Sequence, residues 1–174
     1  MIDINMVIIR DTPDRFRAMA DKIVPPLLEL LHEHAKLETE IFERDDELRR
    51  KHLAAGGSPN QLAPGADKLH NEYFQRYLAL VQPRCVPGFL KYGASRSFGK
   101  PAKYSYLDDD PTLEVIFTMK SPQKAIVETH CNSTVWAKAC YPHGVSDKRH
   151  RFTLKPAGDT WLIARLDYAF SAND

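Results

Sequence analysis

The stretch Arg151-Phe-Thr-Leu-Lys-Pro-Ala-Gly-Asp-Thr-Trp-Leu-Ile163 decides the fold of this chain. Phe152 and Leu154 alternate with polar residues, a Pro-Ala-Gly-Asp turn follows, and Trp161 opens a second apolar run. Alternation with a period of two is typical of a strand with one buried face, so the stretch predicts a β-hairpin. It belongs to a longer segment, 104–168, whose pattern predicts a meander of antiparallel strands.

Four or five such strands are expected in that segment. The first alternates over Leu113–Lys120, and after a Ser-Pro-Gln turn the second returns over Lys124–His130. A third alternates over Val135–Tyr141, and the last two cover Lys148–Lys155 and Thr160–Tyr168. A sheet with that many strands is large enough to curve around an interior.

Helical patterns fill the chain before the sheet. Thr12-Pro13-Asp14 predicts a helix start, because a hydroxyl at the N-cap, a proline at the first helical position and an acid in the first turn are favoured there. We expect this short helix to run to about Val24 and Pro25-Pro26 to end it.

Two further helices are expected. A long amphipathic helix begins at Leu27 and stops at Gly56-Gly57, and a third helix carries an apolar stripe that includes Tyr73 and Tyr77 before Pro83 ends it. A chain with its helices first and its strands later favours a segregated α+β fold, in which the helices pack on one face of the sheet.

We therefore predict a single α+β domain over 1–174, with a helical part at about 12–83 and a sheet at about 104–170. The sheet is expected to be antiparallel, highly curved and cone-shaped. The core should form where helices and sheet meet. Its predicted members are Phe117, Phe152, Leu154, Trp161 and Ile163 on the sheet side and Leu30, Leu37, Ile41 and Tyr77 on the helix side.

Composition and charge narrow the class of protein. The chain is 43% hydrophobic and 27% charged with a net charge of +1, so no basic excess favours nucleic acid. The start, Met1–Arg10, lacks the basic region and the cleavage site of a signal peptide, and no run reaches the ~18 apolar residues of a membrane span. Three cysteines without CxxC spacing fit a reducing compartment. The expected location is the cytoplasm, with neither nucleic acid nor membrane as a partner.

Seven histidines raise the question of a metal site. His32 and His34 are two residues apart on a predicted helix, about 200° around its axis, so they cannot share an ion. His143 and His150 flank a predicted turn, but no ligand spacing such as HExxH accompanies them. Phosphate-binding glycine motifs are also absent from the sequence. We therefore expect no metal and no organic cofactor.

Ionisable side chains on the predicted strands offer a proton-transfer site if the sheet surrounds a pocket. A buried carboxylate beside a tyrosine or histidine can act as a general base with a raised pKa. The side chains that could line such a pocket are Tyr104, Tyr106, Glu114, Glu128, His130 and Asp167. The same alternation also fits a simpler interpretation, in which Glu114, Glu128 and Lys138 belong to the solvent-facing side of the sheet.

Three motifs resemble a known family. They are Phe98-Gly-Lys-Pro101 followed by Tyr104, His150-Arg-Phe-Thr-Leu-Lys155, and Gly158-Asp-Thr-Trp-Leu-Ile163. With the order of helices before a curved meander, they are similar to the immunity-protein branch of the nuclear transport factor 2-like superfamily. The resemblance implies an antidote that binds and inactivates the toxic C-terminal domain of a cognate bacterial polymorphic toxin and has no catalysis of its own. Two alternatives stay open: a pocket enzyme of the ketosteroid isomerase or dehydratase type, and a small-ligand-binding domain.

A partner surface is expected where charged and aromatic residues cluster at the rim of the sheet, because complementary charge gives specificity and aromatic residues give affinity. The predicted partner-binding residues are Asp108, Asp109, Asp110, Glu128, His130, Trp136 and Tyr141. If the toxin acts on nucleic acid, acidic residues here would dock in its basic cleft as a phosphate mimic. Other surfaces considered are the charged run 38–47 of the long helix and, for a homodimer, the sheet itself.

Overall fold

The computed structural model describes residues 7–89, 98, 102–104, 107, 113–133 and 146–168. Two long helices pack on a five-stranded mixed sheet, which makes the fold α+β. The helices are α1 (Asp14–Arg17), α2 (Ala20–Ala54) and α3 (Ala66–Val81), and a short 3-10 helix covers Gln82–Arg84. The strands are β1 (Val7–Ile9), β2 (Glu114–Ser121), β3 (Lys124–Ser133), β4 (Ser146–Ala157) and β5 (Thr160–Tyr168). Within these residues, no helix combines the length and apolar character that a bilayer crossing requires.

Four strands follow the pattern that the sequence predicts. β2 to β5 pair antiparallel in sequence order, and the turns at 122–123 and 158–159 join them as two hairpins. The bounds of β5 are the predicted ones, and β3 and β4 extend beyond the predicted ends. The remaining predicted strand, Val135–Tyr141, lies outside the described residues.

The first strand corrects the prediction of a purely antiparallel sheet preceded only by helices. β1 pairs parallel with β2, with Val7 opposite Val115 and Ile9 opposite Phe117. The backbone N–H of Arg10 continues this edge with a 2.9 Å bond to the Phe117 carbonyl. A three-residue strand is too short to show a period, so its pairing depends on a partner more than 100 residues away.

The start of the helical part also differs from the prediction. Thr12 does not cap a helix: its hydroxyl donates to the Arg10 carbonyl (2.8 Å) and accepts from the Met119 N–H (2.9 Å). α1 is a single turn, and its N-cap residue is Pro13. The Thr12 side chain therefore ties the chain to β2 instead of starting a helix.

Pro25 and Pro26 do not interrupt the helix, because both lie inside α2. Each removes one helical hydrogen bond, and the residues whose carbonyls lose their donors, Asp21 and Lys22, are exposed and can bond to water. Burial of the apolar side chains around the prolines offsets that loss, and those side chains are Ile23, Val24, Leu27 and Leu28. The predicted stop at Gly56 is confirmed, and this residue adopts a φ of 84°.

One face of the sheet forms the core against α2 and α3. Four predicted sheet residues are at most 5% exposed, namely Phe117, Phe152, Leu154 and Ile163. All four predicted helix residues, Leu30, Leu37, Ile41 and Tyr77, are also buried. Trp161 is only half-buried and packs at the margin of this cluster. The predicted core is thus confirmed, with Trp161 at its edge.

Candidate functional site

The outer face of the sheet carries the first candidate site. Val115, Phe117 and Met119 of β2 face the core, so alternation turns Glu114, Ile116, Thr118 and Lys120 to the other side. An open groove of about 660 Å³ lies on this side. Its lining residues are Arg10, Asp11, Glu114, Ile116, Thr118, Lys120, Ser121, Lys124, Ile126, Glu128, His130, Arg149 and Arg151. We refer to it as the sheet groove.

Two of the predicted partner-binding residues, Glu128 and His130, lie in the sheet groove. The Glu128 carboxylate accepts a 2.7 Å bond from Arg151 Nε, and the Glu128 side chain is only 10% exposed. His130 Nδ1 lies 3.4 Å from a carboxylate oxygen of Glu114. Glu128 therefore presents a paired and largely covered carboxylate, while its Arg151 partner remains on the same face.

The other predicted partner-binding residues, Asp108, Asp109, Asp110, Trp136 and Tyr141, lie outside the described residues, as does Tyr106 of the proton-transfer set. The part they play in binding a partner stays a prediction.

The sequence analysis did not identify the cationic residues of the sheet groove as site residues. Arg10, Lys120 and Lys124 lie on three different chain segments, and only the pairing of β1, β2 and β3 brings them to one end of the groove. Arg149 and Arg151 occupy alternate positions of β4 at the other side. In the sequence, Arg149 and Arg151 alternate with the core residues His150 and Phe152, and this alternation could have indicated that the two arginines share the outer face.

The second candidate site lies between the helices and the sheet. We define the interior cluster as His34 and Glu38 of α2, Tyr73 and Tyr77 of α3, Tyr104, and His150 of β4. Each of these side chains belongs to a residue that is at most 6% exposed. The rings pack closely, with centroid distances of 5.0 Å between His34 and Tyr77 and 5.2 Å between Tyr104 and His150.

A chain of hydrogen bonds links three members of the interior cluster. The Tyr73 hydroxyl donates to Glu38 Oε1 at 3.4 Å and lies 3.2 Å from His34 Nε2. Since the hydroxyl proton is directed at Glu38, we assign the His34 proton to Nε2, from which it is donated to the tyrosine oxygen. The other Glu38 oxygen accepts the backbone N–H of Lys103 at 2.5 Å. Glu38 thereby holds the segment that precedes the sheet against α2.

Burial shifts the ionisation of this cluster. Desolvation, with the nearby charge of Lys103, lowers the pKa of His34 to about 4. Desolvation raises the pKa of Glu38, although the Lys103 N–H and the Tyr73 hydroxyl oppose that rise. Burial likewise raises the pKa of Tyr77 to about 12. His34 is therefore neutral at pH 7, and its 3.6 Å approach to Glu38 is not an ion pair there.

These positions correct the predicted proton-transfer set. Glu114, Glu128 and His130 line the sheet groove on the outer face. Asp167 of β5 lies opposite Arg151 of β4 in the strand register, which places it on the same face. Tyr104 instead lies in the interior cluster. Because strand alternation puts these residues on opposite sides of the sheet, they cannot line one pocket. Among the described residues, no group of three His, Cys, Asp or Glu side chains is placed to hold a metal ion.

The charged run 38–47 of α2 is largely engaged with α3. Arg44 makes bonds of 2.6 and 2.8 Å to the two oxygens of Glu72, and Arg76 makes bonds of 2.6 and 2.7 Å to those of Glu40. The hydrogen bonds from Arg76 hold the pKa of Glu40 below its usual range. These pairs join the two helices, and their side chains remain 38–46% exposed.

Comparison with known proteins adds no relative, since no family model, curated protein or solved structure matches the chain. Only the geometry of the sheet groove and of the interior cluster therefore bears on what the protein does.

Proposed function

We propose that this protein is a cytoplasmic immunity protein of nuclear transport factor 2-like fold, which binds the toxic C-terminal domain of a cognate bacterial polymorphic toxin and inactivates it stoichiometrically. The observation that carries the proposal is the contrast between the two candidate sites. The sheet groove is open and charged, whereas the interior cluster is covered and three of its polar side chains, His34, Glu38 and Tyr73, bond to one another.

The packing of the three resembling motifs supports the proposal. Phe98 contacts the helical side of the molecule, with its ring 5.1 Å from His70 and 5.2 Å from Tyr73. Tyr104 enters the interior cluster, and the β4–β5 hairpin places Ile163 in the core. The described residues of these motifs thus pack against the helices or within the core, as expected if the likeness reflects a shared fold.

The state of the interior favours binding over turnover. A general base must come within about 3 Å of the proton that it abstracts. Glu38 instead accepts the Lys103 N–H and the Tyr73 hydroxyl, and His34 is engaged with the same hydroxyl. These bonds use the cluster's polar groups to join α2, α3 and the segment before the sheet.

The outer face of the sheet combines apolar and charged side chains, as protein interfaces do. Typical complexes bury about 800 Å² per partner, with an apolar centre and a polar rim. Ile116 and Ile126 lie in the sheet groove, and on the same face the neighbouring β1 exposes Ile8 (42%), which pairs with Ile116. Charged residues of the groove surround this apolar strip, so the face can supply both burial and specificity.

A toxin-neutralisation assay tests the proposal. The probe is the C-terminal domain of the large toxin that we expect to be encoded beside this gene, expressed in bacteria with and without this protein. We expect co-expression to restore growth and the purified proteins to form a 1:1 complex. In an in vitro titration, toxin activity should fall linearly and vanish near one equivalent, because occlusion is stoichiometric. Protection at far below one equivalent would instead indicate an enzyme, and full toxin activity at excess protein would refute the proposal.

The alternative of a pocket enzyme draws on one observation, the neutral buried His34 beside Tyr73 and Glu38. Such a trio could move a proton if a conformational change admitted a substrate. Soaking with hydrophobic carbonyl compounds and recording the His34 and Tyr73 NMR signals would test it, since a ligand in the interior must perturb both.

A further inference from the structure

Positively charged side chains outnumber negatively charged ones in the sheet groove. Five cationic side chains line it against three carboxylates, an excess larger than the net charge of +1 on the whole chain. We propose that the sheet groove binds an acidic, partly apolar peptide segment of the partner protein. This inference rests on the proposed function and specifies the partner chemistry that the immunity protein recognises.

Two of the three carboxylates of the groove are engaged on their own surface, whereas the third, Asp11, is exposed and follows Arg10 in the chain. Glu128 is bonded to Arg151, and Glu114 lies against His130. Arg10, Lys120 and Lys124 are exposed and form no ion pair with any residue in the described part of the chain. The positive charge that a partner meets is therefore concentrated in these three side chains.

Pairing brings the three cations to one end of the groove. Lys120 and Lys124 flank the β2–β3 turn, where Ser121 pairs with Lys124. Arg10 follows β1 and bonds through its N–H to the Phe117 carbonyl, so it lies beside the same end of β2. We define Arg10, Lys120 and Lys124 as the cationic end. A carboxylate placed there would meet several donors at once, which favours an acidic segment.

Apolar side chains continue from the cationic end along the groove. Thr118 pairs with Ile126, and Ile116 is the next outward-facing residue of β2. Ile8 pairs with Ile116 and is 42% exposed. Since Ile116 is only 5% exposed, a bound segment would place its aliphatic side chains mainly on Ile8 and Ile126 and its carboxylates at the cationic end.

The same lining disfavours two other occupants. Nucleic acid lacks a stacking platform here, because the described lining contains no Phe, Tyr or Trp on which bases could stack. A second copy packed face to face on the groove would oppose like charges, which is unfavourable. An acidic protein segment is the occupant that the charges fit.

Charge reversal with a matched control tests the inference. Lys120→Glu/Lys124→Glu reverses the cationic end, and Lys22→Glu/Lys68→Glu makes the same change in net charge at exposed helix positions that form no ion pair in the described part of the chain. Binding to the neighbouring toxin domain is measured by calorimetry beside a melting curve. We expect the groove variant to lose at least about tenfold in affinity with its melting temperature kept, and the control to bind like the parent. Equal affinity of parent and groove variant would overturn the inference while leaving the proposed function standing.

A defined probe separates the inference from the proposed function. Fluorescence anisotropy of a labelled peptide with alternating glutamate and leucine should rise with the parent protein and fall back in the groove variant. The same peptide with lysine in place of glutamate, and a single-stranded oligonucleotide, should not bind. If the parent fails to neutralise the toxin but binds the acidic peptide, the proposed function fails and the groove chemistry stands. Absence of acidic-peptide binding, or equal binding of the oligonucleotide, overturns the groove assignment.

Discussion

Removal of the titratable ring at position 34 gives the sharpest test of the interior cluster. His34→Gln keeps an amide N–H near the position of Nε2, so it can still donate to the Tyr73 hydroxyl, but it cannot be protonated. The parent and this variant therefore differ mainly in one titration. The free energy of unfolding of both proteins, measured from pH 4.5 to 8, should reveal that titration directly.

The sign of the effect follows from the pKa of His34. The unfolded chain binds a proton at this ring near the ordinary pKa of about 6.5, whereas burial lowers the folded-state pKa to about 4. Between these values the unfolded state holds more protons, so the parent loses stability as the pH falls from 6.5 towards 4. Above pH 6.5 the contribution of His34 is constant.

The magnitude follows from the same two pKa values. Relative to His34→Gln, the parent should lose about 1.4 kcal/mol between pH 8 and 5.5, and about 2–3 kcal/mol by pH 4.5. The raised pKa of Glu38 has the opposite effect, since protonation in the folded state stabilises at low pH, but both proteins contain Glu38 and the difference largely cancels it. Lys103, the other charge near His34, is also present in both proteins.

Urea denaturation at each pH, followed by tryptophan fluorescence, gives the required free energies. A stability difference that stays flat within about 0.5 kcal/mol down to pH 4.5 would show that His34 titrates normally. In that case water reaches the interior cluster. The argument that a closed interior disfavours catalysis would then fail.

Two further predictions concern stability. Phe117→Ala should cost about 3–5 kcal/mol, because the side chain is fully buried, and Trp161→Ala should cost clearly less, because that ring is half-buried; equal losses in urea melts would contradict the assigned core. Thr12→Val should cost about 1–3 kcal/mol by leaving the buried Met119 N–H without its acceptor, whereas Thr12→Ser should stay near the parent, and a valine variant as stable as the parent would remove Thr12 as the tie between the N-terminal segment and β2.

Local patterns in the sequence determined the regular elements of this protein. The two-residue alternation predicted the hairpins of β2 to β5, and the apolar stripe and Gly56 predicted α3 and the end of α2. These signals are readable because the side chains that set them are neighbours along the chain. The core assignment succeeded for the same reason, since a face buried in one strand is repeated every second residue.

Long-range packing decided the rest. β1 exists because β2 offers it an edge, and α2 continues through Pro25-Pro26 because the flanking apolar residues are buried against the sheet and α3. The interior cluster joins His34 to Tyr73, 39 residues away, and Glu38 to Lys103, 65 residues away. No periodicity relates positions so far apart.

The sheet groove depends both on local sequence patterns and on long-range packing. Alternation alone predicted that Glu128 and His130 share one face of a strand, and the sheet groove contains both. The cationic end could be predicted only in part, because the turn of the β2–β3 hairpin brings Lys120 and Lys124 together, whereas Arg10 joins them only when β1 pairs with β2. Strand pairing depends on burial and backbone hydrogen bonds over the whole sheet. The tertiary structure therefore determines the charge of the groove, whereas the sequence alone determines which residues of each strand are polar.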